Sequence, residues 1–274
     1  MSSRRVRMTR RVSFSSGHRL WLDNLDERAN RALFGKWAGR FNHGHNYALE
    51  VTVEGPVDAA TGMVLNIKRI DDLLKGSLLP LVEGKSLNDE VPAFKDRPPT
   101  VENLMLWIWE FLAAHPLPPD VSFDRVRLEE TPLLYGEFDG QTMTLTRVYE
   151  FAASHRLHSS ALSDGENLAL FGKCNNPAGH GHNYVLEVTV EGKPDPRTGM
   201  LVNIDALDRL VSGQVLTKYD HKNLNMDVKD LEDVVPTSEN VAIAIFASLQ
   251  ENLPGLVRVR LHETSRNAFE VEKN

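Results

Sequence analysis

The chain repeats itself, and that repeat constrains its fold more than any other feature. Ala32-Leu-Phe-Gly-Lys36 returns as Ala169-Leu-Phe-Gly-Lys173, and His43-Gly-His-Asn-Tyr47 returns as His180-Gly-His-Asn-Tyr184. Leu49-Glu-Val-Thr-Val-Glu-Gly55 returns as Leu186-Glu-Val-Thr-Val-Glu-Gly192. These pairs share an offset of 137, which also carries His18 to His155 and Thr100 to Thr237. By Arg125-Val-Arg-Leu128 and Arg258-Val-Arg-Leu261 the offset is 133, so the first copy is longer by four residues, in the proline-rich segment around His115-Pro-Leu-Pro-Pro119. A chain so repeated folds as two like units. The boundary falls near Gly136 to Gln141, which divides the chain into residues 1–138 and 139–274. No long linker separates the copies, so they are expected to pack together, as two small domains or as two halves of a larger assembly.

Periodicity supplies the elements. In copy one, Arg5 to Leu20 alternates apolar and charged residues and reads as a strand with His18 at its far end. Asp23 to Lys36 reads as a loop with a short helix. In His43 to Val57, Tyr47, Leu49, Val51 and Val53 share one parity and Glu50, Thr52 and Glu54 the other, the pattern of a half-buried strand. Asp58 to Gly62 reads as a turn that sends Met63 to Ile67 back as a hairpin partner. Asn66 and Thr100 are placed to cap two helices. Val121 to Glu130 and Leu133 to Phe138 read as two closing strands. Copy two repeats the order: Thr146 to His155, then His182 to Val190 with Met200 to Ile204 as a hairpin. Helices follow over Asn203 to Leu216 and Thr237 to Asn252, and strands over Val257 to Glu263 and Ala268 to Glu272. The expected fold is α+β, two tandem ββααββ modules. Two helices cover one face of a four-stranded antiparallel sheet and leave its edges open, so such sheets are expected to join into a closed barrel.

Composition narrows the function classes. With 41% apolar and 25% charged residues, the chain is long enough for one or two cores. The net charge is −7 and no basic tract is present, which argues against nucleic acid as a partner. A single cysteine forms no disulfide within a chain and fits a reducing compartment. The basic start is not followed by an apolar signal region, and no apolar run is long enough for a membrane. A cytoplasmic protein without a membrane partner is expected.

The residues that carry chemistry gather between Phe171 and Tyr184. His180 and His182 are two apart, so in a strand their imidazoles lie on one face. With His155 they make three ligands and leave one position free, the set of a catalytic zinc site. Copy one has the same spacing in His18, His43 and His45. Neutral imidazole suits zinc; the competing reading is polar residues of a repeated loop kept by descent. Cys174, the one cysteine, is either a small buried hydrophobe or, six residues before His180, a thiolate favoured by the nearby cation. Asp220 and His221 are either a solvated turn or, if they meet Cys174, part of a proton-transfer set. Glu263, at a strand end, is either solvent-facing or an acceptor for the N–H edge of a heterocycle such as a pterin or guanine. Across the repeat, Cys174 aligns with Trp37, Asp220 with Glu83 and His221 with Gly84, whereas the histidines and Glu263 (as Glu130) persist. That pattern is expected if Cys174, Asp220 and His221 act together and copy one lacks the chemistry.

At these residues the sequence resembles the 6-pyruvoyltetrahydropterin synthase family. The resemblance rests on Phe151-Ala-Ala-Ser-His-Arg-Leu-His158, Phe171 to Tyr184, Asp195-Pro-Arg-Thr-Gly-Met200, Asp220-His-Lys-Asn-Leu224, Thr237-Ser-Glu-Asn-Val241 and His262-Glu-Thr264. Copy one looks like a diverged member. The resemblance implies the tunnelling fold, in which sheets from several subunits form a β-barrel. Family members are hexamers of single modules, so three two-module chains would supply six. It implies conversion of 7,8-dihydroneopterin triphosphate to 6-pyruvoyltetrahydropterin, with loss of triphosphate and no external reductant. Zinc would sit on His155, His180 and His182 and, in copy one, on His18, His43 and His45. Cys174 would be the general base, Asp220 and His221 the relay, and Glu263 the pterin anchor, helped by Thr237 and Ser238, a pair that departs slightly from the family's usual run. Sites in the family form between subunits, which implies that copy-two modules meet one another. Lys173 and Lys222 are candidates for the triphosphate. Five residues separate Cys174 from His180, as in the biopterin-pathway enzymes; the 6-carboxytetrahydropterin synthases of the queuosine pathway place three there and are the runner-up. Members acting as aldolases put a glutamate near the cysteine position, which copy two lacks. A non-catalytic zinc-binding scaffold is the reading from another class, and for copy one Trp37 suggests a filled pocket.

Overall fold

The first strand pair builds the metal-binding edge of each copy. In copy one, β1 (Arg5–His18) runs antiparallel to β2 (His43–Pro56), and the register sets His18 opposite His43, Gly17 opposite Gly44 and Ser16 opposite His45. Alternation then does the sorting: Tyr47, Leu49, Val51 and Val53 of β2 are almost fully buried. On the opposite face, Arg5 and Arg11 of β1 meet Glu54 and Glu50 at 3.3 and 2.8 Å, which gives the basic start of the chain its cross-strand partners.

The computed structural model describes residues 4–273. After β1 come α1 (Glu27–Phe34), β2, α2 (Ile67–Leu73), the two-residue strand β3 (Lys85–Ser86), α3 (Leu87–Glu90), α4 (Val101–Ala113), β4 (Ser122–Thr131) and β5 (Leu134–Phe138). Copy two repeats this with β6 (Met143–His155), α5 (Asp164–Phe171), β7 (His180–Gly192), α6 (Ile204–Val211), α7 (Thr217–Tyr219), β8 (Lys222–Asn223), α8 (Ser238–Gln250), β9 (Leu256–Thr264) and β10 (Asn267–Glu272). The chain divides into two units, the first reaching Thr146 and including Glu191–Asp205, the second holding Arg147–Val190 and Ala206 onward. In the first the strand order is β5-β4-β2-β1-β3, and in the second β10-β9-β7-β6-β8. Each is an α+β unit on the expected ββααββ plan, and the strands do not close into a barrel within the chain.

Helix α4 packs on β4 and β5, and α8 on β9 and β10. Leu104, Met105, Ile108 and Leu112 of α4 are buried, as are Val241, Ala242, Ile245 and Leu249 of α8. Each large apolar side chain so placed contributes about 1.5–3 kcal/mol. Thr100 and Thr237 cap these helices by accepting from the backbone N–H three residues on.

Two expectations are corrected. Met63 to Ile67 and Met200 to Ile204 are not hairpin strands. Both edges of β2 are already taken by β1 and β4, and those of β7 by β6 and β9, so no ladder remains for them to join. Asn66 instead caps α2 by accepting from the Lys68 N–H at 3.0 Å. The second correction is an addition: β3 and β8, parallel to β1 and β6, extend each sheet by two residues that carry no alternation to read.

Segment Glu191–Asp205, which begins with the last two residues of β7, belongs by its contacts to the first unit. There the Leu201 N–H donates at 2.8 Å to Glu102, whose side chain is 1% exposed. Burial pushes the Glu102 carboxyl up to about 7. From about pH 4.5 to 7 the folded chain therefore holds a proton that the unfolded chain releases, so stability falls as pH rises through that window, by up to about 3 kcal/mol. Glu102→Gln keeps an acceptor for Leu201 and removes the titration. Urea denaturation at pH 5 and pH 8 is expected to show the variant gaining on the parent at pH 8 only; an equal difference at both values would exclude the assignment.

Candidate metal centre and active site

Three imidazoles converge in each unit because β1–β2 and β6–β7 are built alike. The ligand nitrogens of His155, His180 and His182 all lie within 4.8 Å of one another, as do those of His18, His43 and His45. In copy two, Nε2 of His155 is 3.2 Å from Nε2 of His180, and His18 and His43 repeat that distance. Two nitrogens on one tetrahedral zinc, each bonded at about 2.05 Å, stand about 3.3 Å apart. His155 donates from Nδ1 to the Pro236 carbonyl at 2.8 Å, and His18 to that of Pro99 at 2.9 Å, so both rings turn Nε2 into the cluster. Burial lowers the affinity of His155, His180 and His182 for protons and pushes His18 down to about 4. Neutral rings are the form that binds metal. Among the described residues, the buried Nε2 of His182 and of His45 have no hydrogen-bond partner. A buried ring nitrogen aimed at two others fits a cation, and both clusters fit zinc.

Glu263 closes the copy-two cluster. Its Oε1 is 3.8 Å from Nε2 of both His155 and His182, too far for a hydrogen bond. Ser238, at the first turn of α8, donates to the same oxygen at 2.7 Å and sets the carboxylate's direction. Glu130 takes the corresponding place beside His18 and His45, at 3.8 and 3.7 Å. Its helix, however, offers Val101 where copy two has Ser238, so this orienting hydroxyl is missing from copy one. Thr237 is the cap of α8, one residue from both Ser238 and the Pro236 carbonyl.

Cys174 lies in the short 3-10 turn Gly172–Asn175 after α5. Its carbonyl accepts from the Leu157 N–H at 2.9 Å. The next residue, Asn175, is held by Arg156, which donates from Nε to its backbone and side-chain oxygens at 3.1 Å, and by His158 at 3.0 Å. The strand end that carries His155 thus also fixes the turn that carries the thiol. Upstream, the buried Asn167 accepts from the Ser159 N–H and donates to three carbonyls, Ser159, Leu162 and Ser163. Asn30 repeats that pattern in copy one. Sequence reasoning passed over Asn30 and Asn167, although the 137-residue offset joins them.

Among the described residues, no hydrogen bond or ion pair joins Asp220 or His221 to Cys174 within the chain. Asp220 accepts from the Ala152 N–H at 2.8 Å and from Nδ1 of His221 at 3.0 Å, and the His221 side chain is 83% exposed. The His221 backbone, at φ 57°, donates to the Ala152 carbonyl at 2.6 Å. Copy one keeps this turn: Glu83 accepts from the Ser15 N–H at 3.1 Å, and Gly84, at φ 67°, donates to Ser15 at 2.7 Å. Position 220 therefore carries a strand-capping carboxylate in both copies, and of the pair only the imidazole is peculiar to copy two. His221 and Lys222 line an open hollow of about 500 Å³ that also includes His182. Lys173 lies near enough to His180 and His182 to oppose their protonation. No helix among the described residues is long and apolar enough to cross a membrane.

Comparison with known proteins finds a family model and relatives for this sequence. The family model described as 6-pyruvoyl tetrahydropterin synthase matches the chain twice, over residues 7–141 and 144–274. The human 6-pyruvoyl tetrahydrobiopterin synthase is 52% identical over 125 residues, 45% of this chain and 86% of that protein. The Drosophila melanogaster protein of the same name is 47% identical over 126 residues, 45% of this chain and 75% of that one. The solved structure of Caenorhabditis elegans 6-pyruvoyl tetrahydropterin synthase is 45% identical, covers 48% of this chain and 96% of its own, and superposes with a TM-score of 0.47. With two matched modules, each holding a three-histidine cluster, the chain belongs to the 6-pyruvoyl tetrahydropterin synthase family.

Proposed function

We propose that the chain is a zinc-dependent 6-pyruvoyltetrahydropterin synthase, with residues 139–274 the catalytic module and residues 1–138 a degenerate one. The observation that carries this reading is the copy-two constellation: a three-histidine cluster, a carboxylate oriented by Ser238, and a thiol on a turn tied to the same strand end. The substrate is 7,8-dihydroneopterin triphosphate and the products are 6-pyruvoyltetrahydropterin and triphosphate.

His155, His180 and His182 would hold zinc, which when bound supplies Lewis acidity toward the hydroxyls of the substrate side chain. Glu263 accepts hydrogen bonds from the N–H edge of the pterin and so orients the ring, with Thr237 and Ser238 at the same end of α8. Cys174 takes a proton from the substrate side chain and returns it. Asp220 orients His221 as a relay, and because no hydrogen bond or ion pair joins the pair to Cys174 within one chain, it serves a Cys174 that the assembly brings to it. Lys173 and Lys222 are placed for the triphosphate. The open sheets are proposed to join edge to edge in a barrel shared between chains, three chains giving six modules.

In copy one, Trp37 replaces the thiol and Val101 the orienting serine. Its cluster holds zinc without turnover, and its role is structural. The readings that compete are a 6-carboxytetrahydropterin synthase and a zinc-binding scaffold. Mass spectrometry of the product formed by zinc-loaded protein from 7,8-dihydroneopterin triphosphate separates them. A 6-pyruvoyl product is expected; a 6-carboxy product moves the protein to the sister reaction, and no turnover with zinc bound leaves the scaffold.

A further inference from the structure

The repeat lets one surface be compared mated and bare. In the first unit, segment Glu191–Asp205 docks beside the copy-one cluster. Thr100 donates to the Gly199 carbonyl at 2.8 Å, the Leu201 N–H reaches Glu102 at 2.8 Å, and Asn203 donates to the Leu33 carbonyl at 2.7 Å. Met200, 4% exposed, fills a cluster with Leu20 and Phe34, against which Trp37 packs.

Both halves of this contact recur at the 137-residue offset, and both recur uncovered. The segment's twin is Gly62–Asn66, in the same shape: Thr61 and Thr198 each donate their N–H at 2.8 Å to Asp58 and Asp195, and Gly62 and Gly199 sit at φ 69° and 73°. Yet Met63 is 44% exposed, and a Cβ added at Gly62 would meet nothing, whereas at Gly199 it would strike Asn103 and Thr100. The twin of the receiving surface lies on copy two. Glu239, counterpart of the buried Glu102, is exposed. Leu170, counterpart of Leu33, is 66% exposed, and Phe171 is partly exposed where Phe34 is fully buried. Cys174 stands in the place of Trp37.

We propose that Gly62–Asn66 of a second copy of this chain docks on copy two beside Cys174 and completes its pocket. The Thr237 hydroxyl donates to the Gly62 carbonyl, the Val64 N–H to Glu239, and Met63 enters between Leu157 and Phe171 at the edge of the thiol. A preformed loop meeting a preformed surface pays little ordering entropy on association. Copy one thereby has a function: it supplies one wall of a site it does not itself operate. The approach of His221 is a separate contact. The docking rests on the proposed function only in treating the Cys174 pocket as the working site.

The test uses the single native thiol. In full-length Met63→Cys protein, a short bis-maleimide is expected to link chains covalently and to yield a peptide joining positions 63 and 174 between two chains. Met63→Cys/Cys174→Ala lacks that product. Links only between two position-63 thiols, or no interchain link at all, would overturn the proposal. In sedimentation, Met63→Asp is expected to shift the protein to smaller species with its zinc retained; unchanged assembly would also overturn it. Neither readout depends on turnover, so a 63–174 link in protein inactive on the pterin would sink the proposed reaction alone.

Discussion

Cys174→Ala is expected to lower turnover of 7,8-dihydroneopterin triphosphate by roughly 10²–10⁴-fold, the range for loss of a positioned general base, with zinc content unchanged. The thiol's turn is held through the Cys174 carbonyl by Leu157 and through Asn175 by Arg156 and His158, none of which uses the sulfur. Removing Sγ therefore leaves the turn in place, and lost activity reports chemistry rather than unfolding. Cys174→Ser, which keeps the shape and offers a far weaker base, is expected to fall near the alanine variant. Steady-state kinetics with metal analysis checks both, and an alanine variant within about threefold of the parent would remove Cys174 from the reaction.

The second large effect is an asymmetry between two chemically alike clusters. His182→Ala is expected to halve the zinc content and to lower turnover by at least about 10³-fold, since the charge stabilisation that a metal contributes is worth several kcal/mol. His45→Ala, at the matching position, is expected to halve the zinc content with turnover within about threefold of the parent. In each case the two remaining histidines no longer make up the three-ligand set that holds the metal. Metal analysis beside kinetics distinguishes the outcomes: equal losses of activity would show that copy one is not degenerate, and unchanged zinc in His45→Ala would show that its cluster binds none. Glu263→Gln is expected to lower turnover with zinc content unchanged, because the amide still accepts from Ser238 while the three-histidine set is untouched.

Much of this site was legible in the residues. A strand has period two, so His-Gly-His places two rings on one face, and a third histidine at the end of the paired strand can face them. The identical spacing in both copies turned a weak signal into a strong one, and Tyr47 to Val53 announced which face was core. The extents of β1, β2 and α4 followed from alternation and capping for the same local reason. The Ser238–Glu263 bond was half legible: both residues were singled out, but their contact joins a helix start to a strand end 25 positions away.

What the sequence by itself determined is what short-range periodicity and self-comparison can encode: two like modules, their strands and helices, two histidine clusters, and a thiol present in only one. Tertiary structure decided the rest, because the deciding interactions are nonlocal. It denied Met63 to Ile67 a ladder by pairing both edges of β2 elsewhere. It kept position 220 as a carboxylate cap through Glu83, so that only the imidazole separates the copies there. It also assigned Glu191–Asp205 to the unit formed by the other copy. Two nearly identical stretches, Thr61 to Asn66 and Thr198 to Asn203, thus differ in fate, with Met63 exposed in one and Met200 buried in the other. No property of the stretch itself distinguishes them; the difference lies in which surface each reaches in space.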